Sequence, residues 1–302
     1  MKKKIALLLC STGNEAFAVG NVIIGAKKYL FQNLSDKDYD IIFLTDKLES
    51  EDENALKNIF PRIIIEIYKS PFSKNMLNLR ELNHFSSFAY ARFEAFNLLE
   101  QYEKVFYVDT DIVIQKDISE IINIETPLST LYFANKMPIS GNFTKENIDL
   151  VKDYDLNKVS IIAAVFLIND KLNNYQIMTK WCYEKAEEYK TNDQSILNLL
   201  IQEFNIETHD LTESYGAYPT SNISKDAHII HAIGPAKFWR GTYNKEWEEN
   251  NKIWIESGGN TTYEENAKKR KLIDKIVWFI PTFNLRDKVR RYLLKKIGLT
   301  GR

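Results

Sequence analysis

Short apolar runs alternate with helix-like segments through the first third of this chain, and this alternation most constrains its fold. Four runs are apolar and short enough to be buried strands: residues 5–9, 39–44, 63–68 and 105–108. The segments between them have a helical pattern of apolar residues: 16–30, 50–59 and 84–101. Such an alternation predicts an α/β fold with a parallel sheet and helices on both faces, a Rossmann-like half.

The second half of the chain is less regular. It predicts two more strands and two more helices: strands at 161–168 and 228–231, and helices at about 171–190 and at 193–203. Residues 135–159 are polar and contain Pro138 and Gly141, which indicates a loop with a short helix.

Two aspartates, Asp109 and Asp111, follow the apolar run at 105–108. Residues i and i+2 of a strand share one face, and open α/β sheets bind ligands beyond the carboxyl ends of their strands. Carboxylate oxygens suit Mg²⁺ or Mn²⁺, and such an ion would bridge to a diphosphate. A turn capped by two acids is the alternative, since this spacing is common.

A second polar group follows the apolar run at 228–231. The imidazole of His231 suits Mn²⁺, Gly234 would let the backbone approach a ligand, and Lys237 would place a charge on a phosphate. A buried strand-end histidine and a surface lysine are the alternative interpretation.

Two predicted helices also carry candidate residues. Asp193 and Gln194 begin the helix at 193–203, where an acid either caps the first turn or faces a ligand cleft. Arg92 lies on the apolar stripe of the helix at 84–101. A charge in that position must be at the edge of the core or point into a polar site.

Together, and in this order, these elements resemble glycosyltransferase family 8. That family has an arginine helix, a strand ending in Y-x-D-x-D, a D-Q-x-x-x-N helix and an H-x-x-G-x-x-K segment. The matching residues lie within about residues 4–250: Arg92, 107–111, Asp193 and Gln194 with Asn198, and His231 with Gly234 and Lys237. The resemblance implies a GT-A fold. It also implies transfer of a hexose from a UDP-sugar donor to a glycan acceptor, with retention at the anomeric carbon and with Mn²⁺ or Mg²⁺ as cofactor.

The resemblance also assigns roles to residues. Asp109, Asp111 and His231 would hold the metal ion. Gln194, near the anomeric carbon, and Asp193 would be the catalytic pair. The donor would be bound by nine residues: Cys10, Ser11, Gly13, Asn14, Arg92, Asp109, Thr110, Gly234 and Lys237.

Two segments depart from the family pattern. The family loop A-x-D-x-N-Y holds uridine and ribose, but here Thr12 replaces the acid and Glu15 replaces the stacking tyrosine. In the F-N-A-G-V strand, Ile162 replaces the asparagine and Ala164 the glycine. A catalytically impaired nucleotide-sugar-binding protein is therefore one alternative. A sugar nucleotidyltransferase is another, disfavoured because the loop after the first strand has one glycine and no basic residue.

The segment 266–302 differs in charge from the rest of the chain. It carries twelve basic and two acidic side chains, a net charge of +10, against −11 for residues 1–265. Its apolar residues form a stretch before Pro281 and a helical stripe after it: Trp278, Phe279 and Ile280, then Val289, Leu293 and Ile297. We expect a GT-A domain over 1–265 and a basic tail, 266–302, whose amphipathic helix lies on an anionic membrane surface. A helix docked on the acidic body is the alternative.

Other sequence features predict where the protein works. No stretch approaches the roughly 18 apolar residues of a membrane span, and residues 5–9 indicate a strand rather than a signal peptide. The two cysteines are far apart and fit a reducing compartment. These features predict a cytoplasmic protein, peripheral on the inner face of the membrane. Nucleic acid is an unfavourable partner because the body of the protein is acidic.

Overall fold

The chain is described by a computed structural model over residues 2–72, 87–234, 236–297 and 299. Its strands, numbered along the chain, are β1 Lys3–Cys10, β2 Tyr39–Thr45, β3 Ile64–Ile67, β4 Tyr102–Val108, β5 Ile112–Ile114, β6 Leu128–Tyr132, β7 Ile161–Asn169, β8 Thr208–Asp210 and β9 Ile229–His231. Its helices are α1 Ala16–Tyr29, α2 Ser50–Ile59, α3 Ala95–Leu98, α4 Tyr175–Tyr189, α5 Asp193–Glu203, α6 Lys245–Glu256, α7 Thr262–Trp278 and α8 Phe283–Lys296.

Seven of these strands form one sheet in the order β3-β2-β1-β4-β7-β6-β8. The first four are parallel, which confirms the predicted Rossmann-like half. β7 runs antiparallel to both β4 and β6, so the sheet is mixed rather than purely parallel. Because β1 and β4 are parallel neighbours, the segments that follow Cys10 and Val108 leave the sheet at the same edge.

The central strands of the sheet are buried on both faces. Ile5, Leu7 and Leu9 of β1 point into the core formed with α1, α2 and α6. Alternate residues of the same strand, such as Ala6 and Leu8, point into a second core formed with α3, α4 and α5. A strand covered on both faces reads as a continuous apolar run, which is why β1, β2 and β4 could be recognised in the sequence.

The single long helix predicted at 84–101 is wrong. Within the described residues this segment is a 3-10 turn, Ser87–Glu94, followed by the single-turn helix α3; residues 84–86 lie outside the described residues. Tyr90, Phe93 and Phe96 are all fully buried. Their spacing of three matches the repeat of a 3-10 turn, in which residues i and i+3 eclipse, better than that of an α-helix.

The tail is an antiparallel helical hairpin that turns at Pro281. Arg290 of α8 pairs with Asp274 of α7, at 2.6 Å between Nε and Oδ1. Buried side chains from both helices form a small core of their own: Ile273, Val277 and Leu294, with Ile280, Val289, Leu293 and Leu299 partly buried against them. Val289 and Leu293, predicted to face a membrane, therefore pack against α7, because two amphipathic helices bury their apolar stripes against each other.

The hairpin is attached to the rest of the protein through its first turn. The ring of Tyr263 stacks on Phe17 of α1, with 3.9 Å between centroids, and its hydroxyl donates to Asn251 of α6 at 2.5 Å. α7 begins at Thr262, so the boundary proposed at 265/266 falls within its first turn. None of the helices described is both long and apolar enough to cross a bilayer.

Candidate active site

Three predicted metal ligands meet at one edge of the sheet. Asp109 and Asp111 follow β4, and the antiparallel pairing of β5 with β9 places His231 beside them. The backbone N–H of Ala232 donates to the carbonyl of Asp111 at 2.9 Å, which fixes this register. One ligand atom from each of the three side chains lies within 4.8 Å of the others. Two carboxylates and one imidazole at this separation could hold a divalent cation.

The carboxylate of Asp109 is oriented by two donors on the same oxygen. Its Oδ1 accepts from Arg92 Nη2 at 2.9 Å and from the Tyr107 hydroxyl at 2.7 Å. Its Oδ2 lies 3.9 Å from His231 Nε2. Asp109 therefore presents Oδ2 to the shared site and is held there by neighbours, which is how surrounding groups commonly fix a metal ligand. Tyr107 belongs to the sequence motif, but the sequence did not predict this role.

Arg92 is a buried charge with two carboxylate partners. Besides Asp109, it contacts Asp193 at 3.1 Å between Nη1 and Oδ2, and it donates to the carbonyl of Ala163 at 2.5 Å. Its guanidinium also lies 4.7 Å from the ring centre of Tyr107. Burial alone would lower the pKa of Arg92, but the two aspartates raise it well above its ordinary value. The sequence left open whether Arg92 lies at the edge of the core or points into a polar site. The structure shows that it points into a polar site.

Asp111 is the electrostatic centre of the site. His231 Nε2 lies 3.2 Å from one of its oxygens, and Lys237 pairs with the other. Burial alone would raise the pKa of Asp111, but His231 and Lys237 hold it well below its ordinary value. Burial alone would lower the pKa of His231, but Asp111 and Asp109 outweigh this and raise it. The site is therefore a set of mutually stabilised opposite charges.

This arrangement predicts how metal binding depends on pH. A protonated imidazole cannot bind a metal ion, and the raised pKa of His231 means that protons compete at a higher pH than for an isolated histidine, whose pKa is 6.5. We expect calorimetry to show Mn²⁺ affinity falling from about pH 8 to about pH 6. The variant His231→Gln should bind Mn²⁺ more weakly and lose most of this dependence. An unchanged pH profile in that variant would contradict the role of His231 as a ligand.

The loop after β1 also reaches this site. Gly13 approaches the backbone so closely that a Cβ there would lie 1.8 Å from the carbonyl oxygen of Lys47, so only glycine fits. Its N–H donates to Asp46 at 2.9 Å. The hydroxyl of Ser11 donates to Glu15 at 2.5 Å. Burial raises the pKa of Glu15. The negative charge of Asp111 raises it further, and the positive charge of Lys237 opposes this. In the family that the sequence resembles, the loop position of Glu15 is held by a stacking tyrosine, so this chain has a carboxyl group there instead.

The other predicted loop residues differ in accessibility. The side chain of Cys10 belongs to the core beside α3, so it could contact a ligand only through its backbone. Asn14 is exposed, whereas Thr110 is buried. Gly234 is exposed in a left-handed conformation, with φ of 67°, which leaves its backbone open to an incoming group.

The start of α5 is fixed to the edge of β7. Asn192 caps the helix by accepting from the N–H of Ser195 at 2.8 Å. The side chain of Gln194 accepts from the N–H of Ala163 at 3.3 Å and donates to Asn142 at 3.0 Å. Asn142, from the irregular segment before β7, is a residue that sequence reasoning missed, because nothing in its local pattern separates it from loop polarity. Asp193 is buried, and burial raises its pKa, which the charge of Arg92 only partly opposes.

A comparison with known families identifies the family of this chain. A model of glycosyl transferase family 8 matches residues 8–242, which include every ligand and motif described above. The chain belongs to glycosyl transferase family 8. The predicted resemblance is therefore confirmed. No curated protein sequence matches the chain.

Solved structures of glycosyltransferases share the fold. The galactosyltransferase LgtC, solved with donor and acceptor sugar analogs, superposes with a TM-score of 0.60 at 16% identity, covering 87% of this chain and 99% of LgtC. The WbbM bifunctional glycosyltransferase gives a TM-score of 0.59 at 17% identity over 89% of this chain, which spans only 52% of WbbM. GlyE of Streptococcus pneumoniae gives 0.53 at 14% identity, covering 89% of this chain and 62% of GlyE. These likenesses confirm the GT-A fold.

Proposed function

We propose that this family 8 glycosyltransferase is a retaining, metal-dependent hexosyltransferase. It moves a hexose from a UDP-sugar to a glycan or lipid-linked glycan acceptor, such as lipopolysaccharide or capsule, at the inner face of the membrane. The observation that carries the proposal is the convergence of Asp109, Asp111 and His231, with Lys237 on the same carboxylate. A site of this composition suits the diphosphate of a nucleotide-sugar.

The donor set fits Mn²⁺ or Mg²⁺. Hard carboxylate oxygens suit both ions, and the imidazole favours Mn²⁺. When bound, the cation would supply positive charge against the leaving diphosphate. Lys237, which pairs with Asp111, would place its positive charge beside a phosphate oxygen of the donor. Apart from its chain neighbours, no described residue comes within 4 Å of the Cβ position at Gly234, which leaves room for the diphosphate to approach the backbone.

Retention at the anomeric carbon limits the roles that Asp193 and Gln194 can have in the reaction. Asp193 is buried and bound to Arg92, so we assign it to orienting Arg92 and the donor sugar rather than to nucleophilic attack. Gln194 is a poor nucleophile. We therefore favour attack from the face that the diphosphate leaves. The acceptor oxygen bonds to the anomeric carbon as the bond from that carbon to the phosphate oxygen breaks, and the departing phosphate oxygen takes the acceptor proton.

One assay tests the proposed reaction. The full-length chain is incubated with a panel of UDP-hexoses and Mn²⁺, and UDP release is measured with and without chelator. Metal-dependent release supports the proposal. Binding in a thermal-shift assay without release would favour the catalytically impaired alternative suggested by Thr12 and Ile162. Pyrophosphate formed from a nucleoside triphosphate and a sugar phosphate would favour the nucleotidyltransferase.

Gln194 provides a separate test of the catalytic pair. An active-site variant of LgtC with glutamate in place of a glutamine has been solved, so a glutamine belongs to the active site of that protein. This supports a test of Gln194 in the present chain. We expect Gln194→Ala to lower kcat far more than it raises KM, because its contribution would be made in the transition state. Gln202→Ala on the outer end of α5 is the matched control and should leave both constants unchanged. A raised KM with normal kcat would make Gln194 a binding residue only.

The proposed membrane contact is supported by the tip of the hairpin. Trp278 and Phe279 are 69% and 85% exposed, and Leu272 and Ile276 of α7 are exposed as well. Exposed apolar side chains beside many cations are typical of a segment that lies at an anionic bilayer surface. The proposed membrane-facing surface therefore comprises the predicted aromatic stretch at the hairpin tip and the outer side of α7. Of the predicted stripe on α8, Ile297 is exposed, whereas Val289 and Leu293 pack against α7.

Vesicle co-sedimentation tests this contact. We expect the full chain to bind anionic vesicles at low salt, and the double variant Trp278→Ser with Phe279→Ser to lose most of that binding. The control pair Leu150→Ser with Ile177→Ser removes two exposed apolar side chains from elsewhere on the protein and should bind normally. Equal binding by both double variants would show that the hairpin tip is not the membrane contact.

A further inference from the structure

Four basic side chains meet where the tail hairpin contacts the catalytic body. Arg240 ends the 3-10 turn Phe238–Arg240, Arg270 and Lys271 come from α7, and Arg290 comes from α8. Gly241 follows Arg240, and a Cβ at this glycine would lie 2.9 Å from Lys271 Nζ. The hairpin is thus packed directly against the turn. We call these four residues the junction cluster.

The members of the junction cluster repel one another. Burial lowers the pKa of Arg240, and the charges of Arg270 and Arg290 lower it further. Burial and the charge of Arg290 lower the pKa of Arg270 in the same way. Among the described residues, the carboxylates that act on Arg240 are Glu15 and Asp274, and Asp274 already pairs with Arg290. Like charges held together in a partly desolvated place favour the binding of an anion.

One donor of the junction cluster is left unused. Arg240 Nε is buried and has no hydrogen-bond acceptor among the residues that the structure describes. The side chain as a whole is only half-buried. A guanidinium presents paired N–H groups that match two oxygens of one phosphate, which makes arginine the usual residue for such groups.

The position of the junction cluster indicates whose phosphate it takes. Arg240 lies three residues after Lys237, which pairs with Asp111, and its charge also acts on Glu15 in the loop after β1. The other three members belong to the hairpin that exposes Trp278 and Phe279 at its tip. The cluster thus connects the turn that follows Lys237 with the hairpin that we assign to the membrane.

We infer that the junction cluster binds a phosphate or diphosphate group carried by the acceptor, so that an acceptor anchored in the membrane is held beside the donor. This inference rests on the proposed function. It also gives part of the basic tail a second purpose, because Arg270, Lys271 and Arg290 belong to the part of the hairpin that contacts the turn Phe238–Arg240. Within the tail, Arg270 donates to the carbonyl of Leu299 at 3.1 Å and Arg290 pairs with Asp274.

The first arm of the test uses inorganic pyrophosphate, the full chain and chelator, because chelation removes the divalent cation that Asp109 and Asp111 would need to hold a diphosphate at the donor site. We expect Arg240→Gln and Arg290→Gln each to weaken binding about tenfold or more, the loss of one charge-assisted contact. The matched control is Arg291→Gln, the adjacent residue of α8, which pairs with Asp287 and undergoes the same change in charge. Its affinity should be unchanged.

Equal affinities in all four proteins, or an equal loss in Arg291→Gln, would overturn the inference. If circular dichroism shows that Arg290→Gln disrupts the hairpin, Arg240→Gln, which lies outside the hairpin, decides the result.

The second arm identifies the source of the phosphate. Neutral vesicles are doped either with a polyprenyl diphosphate or with phosphatidylglycerol of equal total charge. Tighter binding to the diphosphate lipid that depends on Arg240 supports an acceptor site. Equal binding to both would reduce the cluster to a headgroup contact and overturn the assignment. Donor hydrolysis by the unaltered chain with Mn²⁺ and no acceptor reports on the proposed function alone, so failure of one hypothesis is distinguishable from failure of the other.

Discussion

Replacing Asp111 with asparagine is expected to abolish metal-dependent donor binding and to lower turnover by more than about a hundredfold. Asparagine has the shape of aspartate but no charge. The variant would leave His231 and Lys237 without their shared partner and would remove one hard oxygen ligand from the site. Calorimetry with Mn²⁺ and a UDP-sugar measures the binding, and UDP release measures the turnover.

The control for this variant is Asp226→Asn. Asp226 is highly exposed and pairs only with a surface lysine, Lys116, so its loss should affect neither metal nor donor binding. Circular dichroism should show that both variants are folded. If Asp111→Asn binds the donor with an unchanged dependence on Mn²⁺, Asp111 is not a metal ligand and the carboxylate pair serves only to cap the turn.

Arg92→Met should produce the largest loss of stability, about 3–5 kcal/mol in the free energy of unfolding. Methionine fills a similar volume but leaves Asp109 and Asp193 without the charge that both now contact. Because Asp193 is buried, its carboxylate would have to lose its charge or remain unpaired in the interior. Denaturant unfolding at about pH 7 measures the loss.

Two further variants separate this effect from a general loss of packing. Arg291→Met removes an exposed arginine from an i, i+4 pair with Asp287 and should cost at most about 0.5 kcal/mol. Adding Asp193→Asn to Arg92→Met should restore part of the stability, since one unpaired buried charge is removed. A loss in Arg92→Met no greater than in Arg291→Met would mean that the buried ion network does not stabilise the fold.

Local sequence was informative where burial alone determines structure. β1, β2 and β4 are covered on both faces and read as apolar runs, and α2 and α5 began where polar first-turn residues predicted. β5, β6 and β8 were not predicted. Two of them are three residues long, β6 carries Ser129 and Thr130, and all three are strands because of the partners they find elsewhere in the chain.

The candidate site was predictable only in part for the same reason. The order of motifs identified Arg92, the aspartate pair and His231, and the structure brings these together. The hydrogen bond that Gln194 donates to Asn142 depends on which segments pack side by side, and a single sequence carries no sign of that. The tail is similar: an amphipathic stripe predicts a covered face, but not whether lipid or a second helix covers it.

The pairing of β5 with β9 has a consequence for how the site is assembled. His231 reaches Asp111 through a two-stranded sheet whose halves are separated by more than a hundred residues of chain. Contacts between such distant segments close late, since the intervening chain must first lose its conformational freedom. During synthesis, the aspartates emerge and the four parallel strands can join well before the histidine exists. The ability to bind a metal ion should therefore arise as one of the last steps of folding, when nearly the whole catalytic body is already in place.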